Sequence, residues 1–230
     1  SADGRKSNGS TPMADAHDPN PPESLYSRRA LRMAADTPWK AANELERLIL
    51  IPAARLRFWL AGVPWGEGWR LYGLPILQKH RGSTLTIGAR MELRSTARSN
   101  PLGANRPCIL TTRRHDAALT IGDDFGMTGG SVICEQRVTI GSRVIVGANT
   151  IISDTDFHPL DPAVRRERPL DGASAPVTIE DDVFIGMQSL ILKGVTIGAG
   201  SVIGAGSVVT TDIPAGAVAA GSPARVLRML

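Results

Sequence analysis

An aliphatic residue returns at every sixth position along much of the C-terminal part of the chain. The clearest row runs through Ile179, Ile185, Ile191, Ile197, Ile203 and Val209, and earlier rows run through Ile121, Met127 and Ile133 and through Ile140, Val146 and Ile152. A helix repeats its apolar face every three to four residues, and a half-buried strand alternates. A period of six instead predicts a short strand plus a tight turn, repeated as the sides of a prism.

Residues at two other positions of each hexapeptide also recur with the period of six. Glycine directly follows several of the aliphatic residues, and small or β-branched residues lie four positions after them, at Val183, Ser189, Val195, Ser201 and Ser207. We expect glycine to relieve crowding where the backbone bends, and the small residues to point into the narrow interior. Three hexapeptides form one coil, so the rows predict about five coils that bury one another's apolar faces.

The period is interrupted twice, at about residues 96–118 and again at about 156–176. A solenoid extrudes insertions as loops on one face, which is often the binding face. Residues 83–218 are therefore predicted to form an all-β solenoid with two loop insertions, in which we look for the chemistry. Residues 219–230 are predicted to form a C-terminal tail.

Residues 24–82 are predicted to form an N-terminal helical segment, and residues 1–23 a disordered tail, of which the residues before Met13 are either derived from an expression vector or part of the natural tail. Thr37 is suited to the N-cap, Pro38 to the first helical position, and Pro52 is expected to break or kink the helix. An apolar stripe is formed by Leu45, Leu48, Ile49, Leu56 and Leu60. Two interpretations stay open: the stripe packs on the first coil, or the segment, with Trp59, Trp65 and Trp69, makes a peripheral membrane contact.

Composition excludes some classes of function. The chain has 26 Lys+Arg against 22 Asp+Glu, and aromatic residues make up 4%. This mild basicity without a stacking set of aromatics speaks against nucleic-acid binding and is compatible with a polyanionic cofactor. Cys108 and Cys134 lie far apart in no metal-ligand spacing, which predicts packing residues in a reduced, cytoplasmic setting. The sequence has no apolar stretch of about 18 residues that would span a membrane.

The hexapeptide rows, the interruption at DTDFHPLDP and the ending IGAGSVVTTDIPAGAVAAGSPARVLRML resemble the hexapeptide-repeat acyltransferase superfamily. Within it, the chain is most similar to the maltose/galactoside and polysaccharide O-acetyltransferases, over residues 83–230. The resemblance implies a left-handed parallel β-helix and a homotrimer. Handedness comes from the resemblance alone, since the usual crossover rule favours right-handed connections.

His158 is the candidate catalytic residue. Acyl transfer from a thioester to a hydroxyl needs a base that titrates near neutral pH, and histidine is suited to this. The sequence DFHP also matches the family's catalytic His-Pro position. Asp154 and Asp156 are expected to share a face with His158, and of the two we assign Asp156 to orient the imidazole or bind the acceptor.

The resemblance also implies acetyl-CoA as co-substrate, with no metal. By that likeness Gly186, Met187, Ala205 and Thr210 line the groove for the pantetheine arm, and Arg225 and Arg228 lie near the CoA phosphates. Arginine suits phosphate because its planar fork donates paired hydrogen bonds. The implied reaction transfers an acetyl group to a hydroxyl of a sugar or surface polysaccharide.

Two other classes of function are weighed against this one. A zinc-dependent carbonic anhydrase needs three histidine ligands, whereas the coil region offers only His115 and His158. A catalytically silent β-helix that serves as a scaffold or binding module predicts no acetyl-CoA binding.

Overall fold

The six-residue rows fold into the three sides of a prism in the computed structural model, which describes residues 35–230. The chain passes through sheet A, sheet B and sheet C in turn, and each strand pairs in parallel with its counterpart in the next coil. The solenoid is a left-handed parallel β-helix, as the resemblance implied.

Sheet A has eight strands: β1 (Arg70–Tyr72), β4 (Glu92–Arg94), β7 (Gly126–Thr128), β10 (Ile145–Val146), β13 (Phe184–Ile185), β16 (Val202–Ile203), β18 (Ala217–Gly221) and β19 (Ala224–Met229). Sheet B has six: β2 (Ile76–Lys79), β5 (Ile109–Thr112), β8 (Ser131–Cys134), β11 (Ile151–Ser153), β14 (Leu190–Ile191) and β17 (Val208–Val209). Sheet C has five: β3 (Thr84–Ile87), β6 (Ala118–Ile121), β9 (Arg137–Ile140), β12 (Val177–Ile179) and β15 (Thr196–Ile197). We call the turn from one sheet to the next the A–B, B–C or C–A corner.

The β-helix begins earlier than predicted. Its first strand starts at Arg70, so the residues before 83 are not all helical, and the six strands of sheet B give six coils where the rows predicted about five. Leu71 and Leu77 keep the six-residue spacing, but the Ile-Gly pairs that mark later coils are missing there. Residues 1–34, which include the predicted tail, lie outside the described residues.

The interior is a stack of aligned apolar side chains. Along sheet A the register joins Leu93 to Met127, Met127 to Val146, Val146 to Ile185 and Ile185 to Ile203. On β8 the inward residue is Val132, which aligns with Leu110 and Ile152, and not the predicted Ile133. The glycine pair Gly129–Gly130 turns left-handed and shortens the corner before β8, which shifts the register by one residue.

The small residues four positions after the anchors are buried, as predicted. The glycine directly after an anchor, however, serves close packing of neighbouring coils more than a special backbone conformation. A Cβ added to Gly186 would lie 2.4 Å from the amide nitrogen of Ala205 in the next coil. Any side chain at this position would therefore force two coils apart.

Helix α1 (Pro38–Leu60) begins where the Pro38 signal predicted, but it runs through Pro52 without a break. Ala54 and Phe58 face inward, and Phe58 packs on Trp65 and Trp69 with ring centroids 5.9 Å and 4.9 Å away. The helix therefore packs through the side opposite the predicted stripe, whose residues are exposed. Within residues 35–230, no helix has the length and apolarity to cross a bilayer.

The C-terminal hairpin and the two insertions lie outside the regular coils. The C-terminal tail is a hairpin, in which β19 pairs antiparallel with β18 and extends sheet A. The two insertions leave the prism at different corners: residues 95–108 at the A–B corner of the second coil, and residues 154–176 at the B–C corner of the fourth. The second insertion carries helix α2 (Pro162–Glu167), which is capped by the side chain of Asp161.

Candidate active site

His158 lies at the base of the second insertion, where the chain leaves β11. The backbone turns left-handed at Phe157, with φ of 62°, and this turn leaves the imidazole of His158 exposed. Its Nδ1 lies 2.5 Å from the carbonyl oxygen of Pro169 on the returning arm of the loop. Because a carbonyl only accepts hydrogen bonds, this contact requires the proton on Nδ1 and leaves Nε2 with a lone pair.

Asp156 does not contact the imidazole through its carboxylate. Its Oδ2 lies 3.0 Å from Nζ of Lys193, and both side chains are partly exposed. The link between Asp156 and His158 runs through the backbone, since the amide of His158 donates to the carbonyl of Asp156 at 2.7 Å. In this chain the group that orients the imidazole is therefore the Pro169 carbonyl.

Asp154 is a structural residue and does not share a face with His158, contrary to the expectation from their spacing. Its side chain is fully buried and accepts hydrogen bonds from the backbone amides of Glu135, Gln136 and Arg137 at 2.7–2.8 Å. The strand ends at Ser153, so strand alternation no longer applies beyond it. Asp154 instead ties the start of the loop to the preceding coil.

The buried carboxylate of Glu135 anchors the base of the second insertion. Glu135 accepts hydrogen bonds from Arg113 at 2.9 Å, Arg114 at 3.0 Å and the hydroxyl of Thr155 at 3.0 Å. Burial acts to raise the pKa of Glu135, but the hydrogen bonds from Arg113 and Thr155 outweigh it and hold the pKa below its usual value. The guanidinium of Arg113 also lies over the ring of Phe157, 5.2 Å from its centroid. Because Glu135 holds this guanidinium in place, the cation–π contact fixes Phe157, the residue before His158.

The two arms of the loop approach each other closely at Gly172. A Cβ there would meet the amide nitrogen of His158 and the carbonyl carbon of Phe157, each at 2.5 Å. The amide of Asp156 donates to the carbonyl of Ala173 at 2.9 Å and closes the same base. The loop thus holds His158 from both sides through backbone contacts, which the sequence pattern did not reveal.

Gly186, Met187 and Ala205 lie together in a groove at the A–B corner. The groove has a volume of about 420 Å³ and is lined mainly by apolar residues of three successive coils. The first insertion closes one side of the groove and is held there by Asn149, which accepts from the amide of Asn105 at 2.7 Å and donates to the carbonyl of Gly103 at 3.2 Å.

Thr210 does not line this groove. It follows β17 and is exposed at the B–C corner of the last coil. Arg225 and Arg228 lie on β19 in the hairpin that extends sheet A beyond the groove, and both are exposed. Neither guanidinium has a carboxylate within ion-pair distance among residues 35–230, so both remain available for an anion.

His80 and His115 are the other described histidines, and both lie at B–C corners of the first two coils. His115 contacts Asp116 at 2.7 Å and the ring of His80 edge-on at 5.9 Å between centroids. Within residues 35–230, no group of three or more His, Cys, Asp or Glu side chains is placed so that it could bind a metal ion.

Comparisons with known proteins agree with this fold. The family model described as "Hexapeptide repeat of succinyl-transferase" matches residues 176–211. The galactoside O-acetyltransferase of Escherichia coli is 45% identical over 105 residues, which cover 46% of this chain and 49% of that enzyme. The 2,3,4,5-tetrahydropyridine-2,6-dicarboxylate N-acetyltransferase of Staphylococcus aureus is 41% identical over 90 residues, covering 39% of this chain and 32% of that enzyme.

The matched stretch therefore spans only a third to a half of these curated relatives. Among solved structures, AntD, an N-acyltransferase from Bacillus cereus in complex with dTDP and 3-hydroxybutyryl-CoA, superposes with a TM-score of 0.55 at 17% identity, covering 72% of this chain and 81% of AntD. At that identity the likeness concerns the fold alone. Taken with the hexapeptide rows and the coils they form, the matches show that the chain contains hexapeptide repeats and is similar to acetyltransferases built on them.

Proposed function

We propose that this protein is an acetyl-CoA-dependent O-acetyltransferase that acts on a hydroxyl of a sugar or surface-polysaccharide acceptor in the cytoplasm. The observation that carries the proposal is the state of His158, whose Nδ1 faces the Pro169 carbonyl while its ring is exposed. Within residues 35–230 nothing hydrogen-bonds to Nε2, so this atom is free to accept a proton. The identity to the galactoside O-acetyltransferase of Escherichia coli supports the acceptor class.

In the proposed reaction Nε2 of His158 removes the proton from the acceptor hydroxyl as its oxygen attacks the thioester carbonyl. Backbone N–H groups stabilise the negative charge that develops on the carbonyl oxygen. The C–S bond then breaks, and the proton on the imidazolium passes to the departing thiolate. The products are an acetyl ester and CoA, and the enzyme forms no covalent intermediate.

The arrangement of the site supports a homotrimer. His158 lies at a B–C corner, whereas the groove of Gly186, Met187 and Ala205 lies at an A–B corner, with the width of sheet B between them. One chain therefore does not place a groove-bound thioester beside its own imidazole. In a trimer of prisms, the groove of one subunit and His158 of its neighbour would meet at each boundary.

Acetyl-CoA turnover with a panel of acceptors tests this function, with thiol release as the readout. The panel should include free sugars, oligosaccharides and amines, since a Staphylococcus aureus N-acetyltransferase is among the relatives. We expect turnover with hydroxyl acceptors and a trimer by light scattering. A protein that binds no acetyl-CoA in calorimetry would instead be the silent scaffold.

The groove assignment predicts an effect of the two exposed arginines on β19. Replacing Arg225 and Arg228 together with alanine should raise the KM for acetyl-CoA by roughly tenfold or more and affect kcat less, because hydrogen bonds to charged groups are each worth about 1.5–3 kcal/mol. In the wild type this affinity should also fall with added salt. Arg137→Ala, at an exposed position of sheet C, is the matched control. CoA binding by the double variant equal to that of the wild type would show that the phosphates lie elsewhere.

A further inference from the structure

Helix α1 is apolar on two opposite sides, and within residues 35–230 only one of them is covered. Ala54 and Phe58 pack on the first coil. The other side carries an exposed row that we call the outer stripe: Leu45, Leu48, Ile49, Leu56, Trp59 and Leu60. Relative exposures along this stripe run from 48% to 72%, values unusual for so many large apolar side chains in one row. A helix that is apolar all round needs a second apolar partner besides its own core.

Two adjoining grooves lead from the outer stripe toward the active-site loop. Leu56 and Leu60 share a groove of about 530 Å³ with Leu77 and Lys79 of β2. Leu77 and Lys79 also line a second groove, of about 830 Å³, which is mainly polar and reaches Leu170 in the loop that holds His158. The grooves therefore connect the helix with this loop, although His158 itself does not line them.

The charge beside this surface is positive. From Ile49 to Leu60 the helix carries Arg55 and Arg57 and no acidic residue, and the segment 76–82 carries Lys79 and Arg81 and again none. The acidic residues of α1 are already neutralised: Glu44 pairs with Arg47, and Glu46 pairs with Arg98. Within residues 35–230 the cations beside the apolar row have no carboxylate partner: Arg55 lies over the ring of Trp65, and Arg57 donates to the carbonyl of Pro75.

These features favour a lipid surface over a second copy of the chain. If two copies paired symmetrically through the outer stripe, Arg55 and Arg57 of each would come near those of the other, and like charges in an interface are costly. An anionic bilayer satisfies both features, since the acyl region accepts the leucines and Trp59 while the headgroups attract arginine and lysine.

We propose that the outer stripe of α1 docks this protein on an anionic membrane surface, parallel to the bilayer and without crossing it. Docked in this way, the two grooves that lead to the His158 loop lie beside the headgroups. This proposal does not depend on the acyltransferase reaction, because membrane binding is measured without acceptor or acetyl-CoA.

Co-sedimentation of the full chain with vesicles tests the proposal. One set of vesicles contains phosphatidylcholine alone, and the other contains phosphatidylcholine with phosphatidylglycerol. The wild type should sediment with the anionic vesicles and much less with the neutral ones. The triple variant Leu48→Gln, Leu56→Gln, Leu60→Gln should bind at least about tenfold more weakly, because each buried methylene contributes about 0.8 kcal/mol.

Leu227→Gln is the matched control, since Leu227 is similarly exposed but lies on β19, and it should bind vesicles as the wild type does. Lys79→Gln with Arg81→Gln should weaken binding to the anionic vesicles alone. A wild type that stays in the supernatant, or a triple variant that binds as well as the wild type, would overturn the proposal. So would a change in oligomeric size in the triple variant without any vesicle binding by the wild type, which would assign the outer stripe to contacts between copies.

Discussion

His158→Ala is expected to lower turnover by roughly 10²–10⁴-fold, the contribution typical of a general base. The imidazole is exposed and makes its side-chain contact to one backbone carbonyl, so its loss should leave the fold and the affinity for acetyl-CoA nearly unchanged. Steady-state kinetics and calorimetry on the same preparation measure the two quantities.

His115→Ala provides the matched control, because it removes an exposed histidine of the same corner whose Nδ1 is held by Asp116. It should keep wild-type turnover. Near-normal turnover of His158→Ala would rule out His158 as the base. If that variant instead loses acetyl-CoA affinity in proportion to its rate, His158 belongs to the cofactor site.

Asp154→Ala is expected to lower the free energy of unfolding by at least about 3 kcal/mol. The substitution leaves three backbone amides without their acceptor, that of Glu135 in a buried place and those of Gln136 and Arg137 in partly buried ones, and an unsatisfied buried donor costs about 1–3 kcal/mol. Denaturant unfolding followed by circular dichroism measures the change. Turnover should fall as well, since Asp154 ties down the arm that leads to His158.

Asp156→Ala is the control for stability, because its ion pair with Lys193 is only partly buried. Such pairs contribute at most about 1 kcal/mol, so unfolding of this variant should lie close to that of the wild type. If the two variants were equally stable, the three hydrogen bonds from backbone amides to Asp154 would not anchor the loop.

Both predictions depend on the different hydrogen-bond partners of Asp154, Asp156 and His158, which the sequence spacing did not reveal. Asp154, Asp156 and His158 alternate in sequence, which suggested one face and a carboxylate partner for the imidazole. The strand ends at Ser153 and the chain then turns left-handed at Phe157, so strand alternation does not apply here and each side chain meets a different partner. The partner of His158 is the carbonyl of Pro169, eleven residues further along, and every residue type has a carbonyl, so composition carries no signal for it.

The packing of the N-terminal helix was also not predictable from the sequence pattern. An amphipathic row in a sequence normally marks the face that packs on the core. In α1 the leucine-rich row faces solvent, while Ala54 and Phe58 form the packed side. Phe58 fits between Trp65 and Trp69, and this aromatic cluster at the mouth of the first coil decides the rotation of the helix. Hydrophobicity alone did not distinguish the two faces, because both are apolar.

By itself the sequence determined the six-residue coil, most of its inward residues and the loop in which His158 lies, because each coil is specified by a short local pattern that repeats. Only the tertiary structure decided which corner each loop occupies, which carbonyl meets the imidazole, and that Thr210 lies away from the groove of Gly186 and Ala205. These are contacts between segments distant along the chain, and their geometry depends on the exact number of residues in every intervening turn. One residue fewer before β8, for example, moves the inward position from Ile133 to Val132.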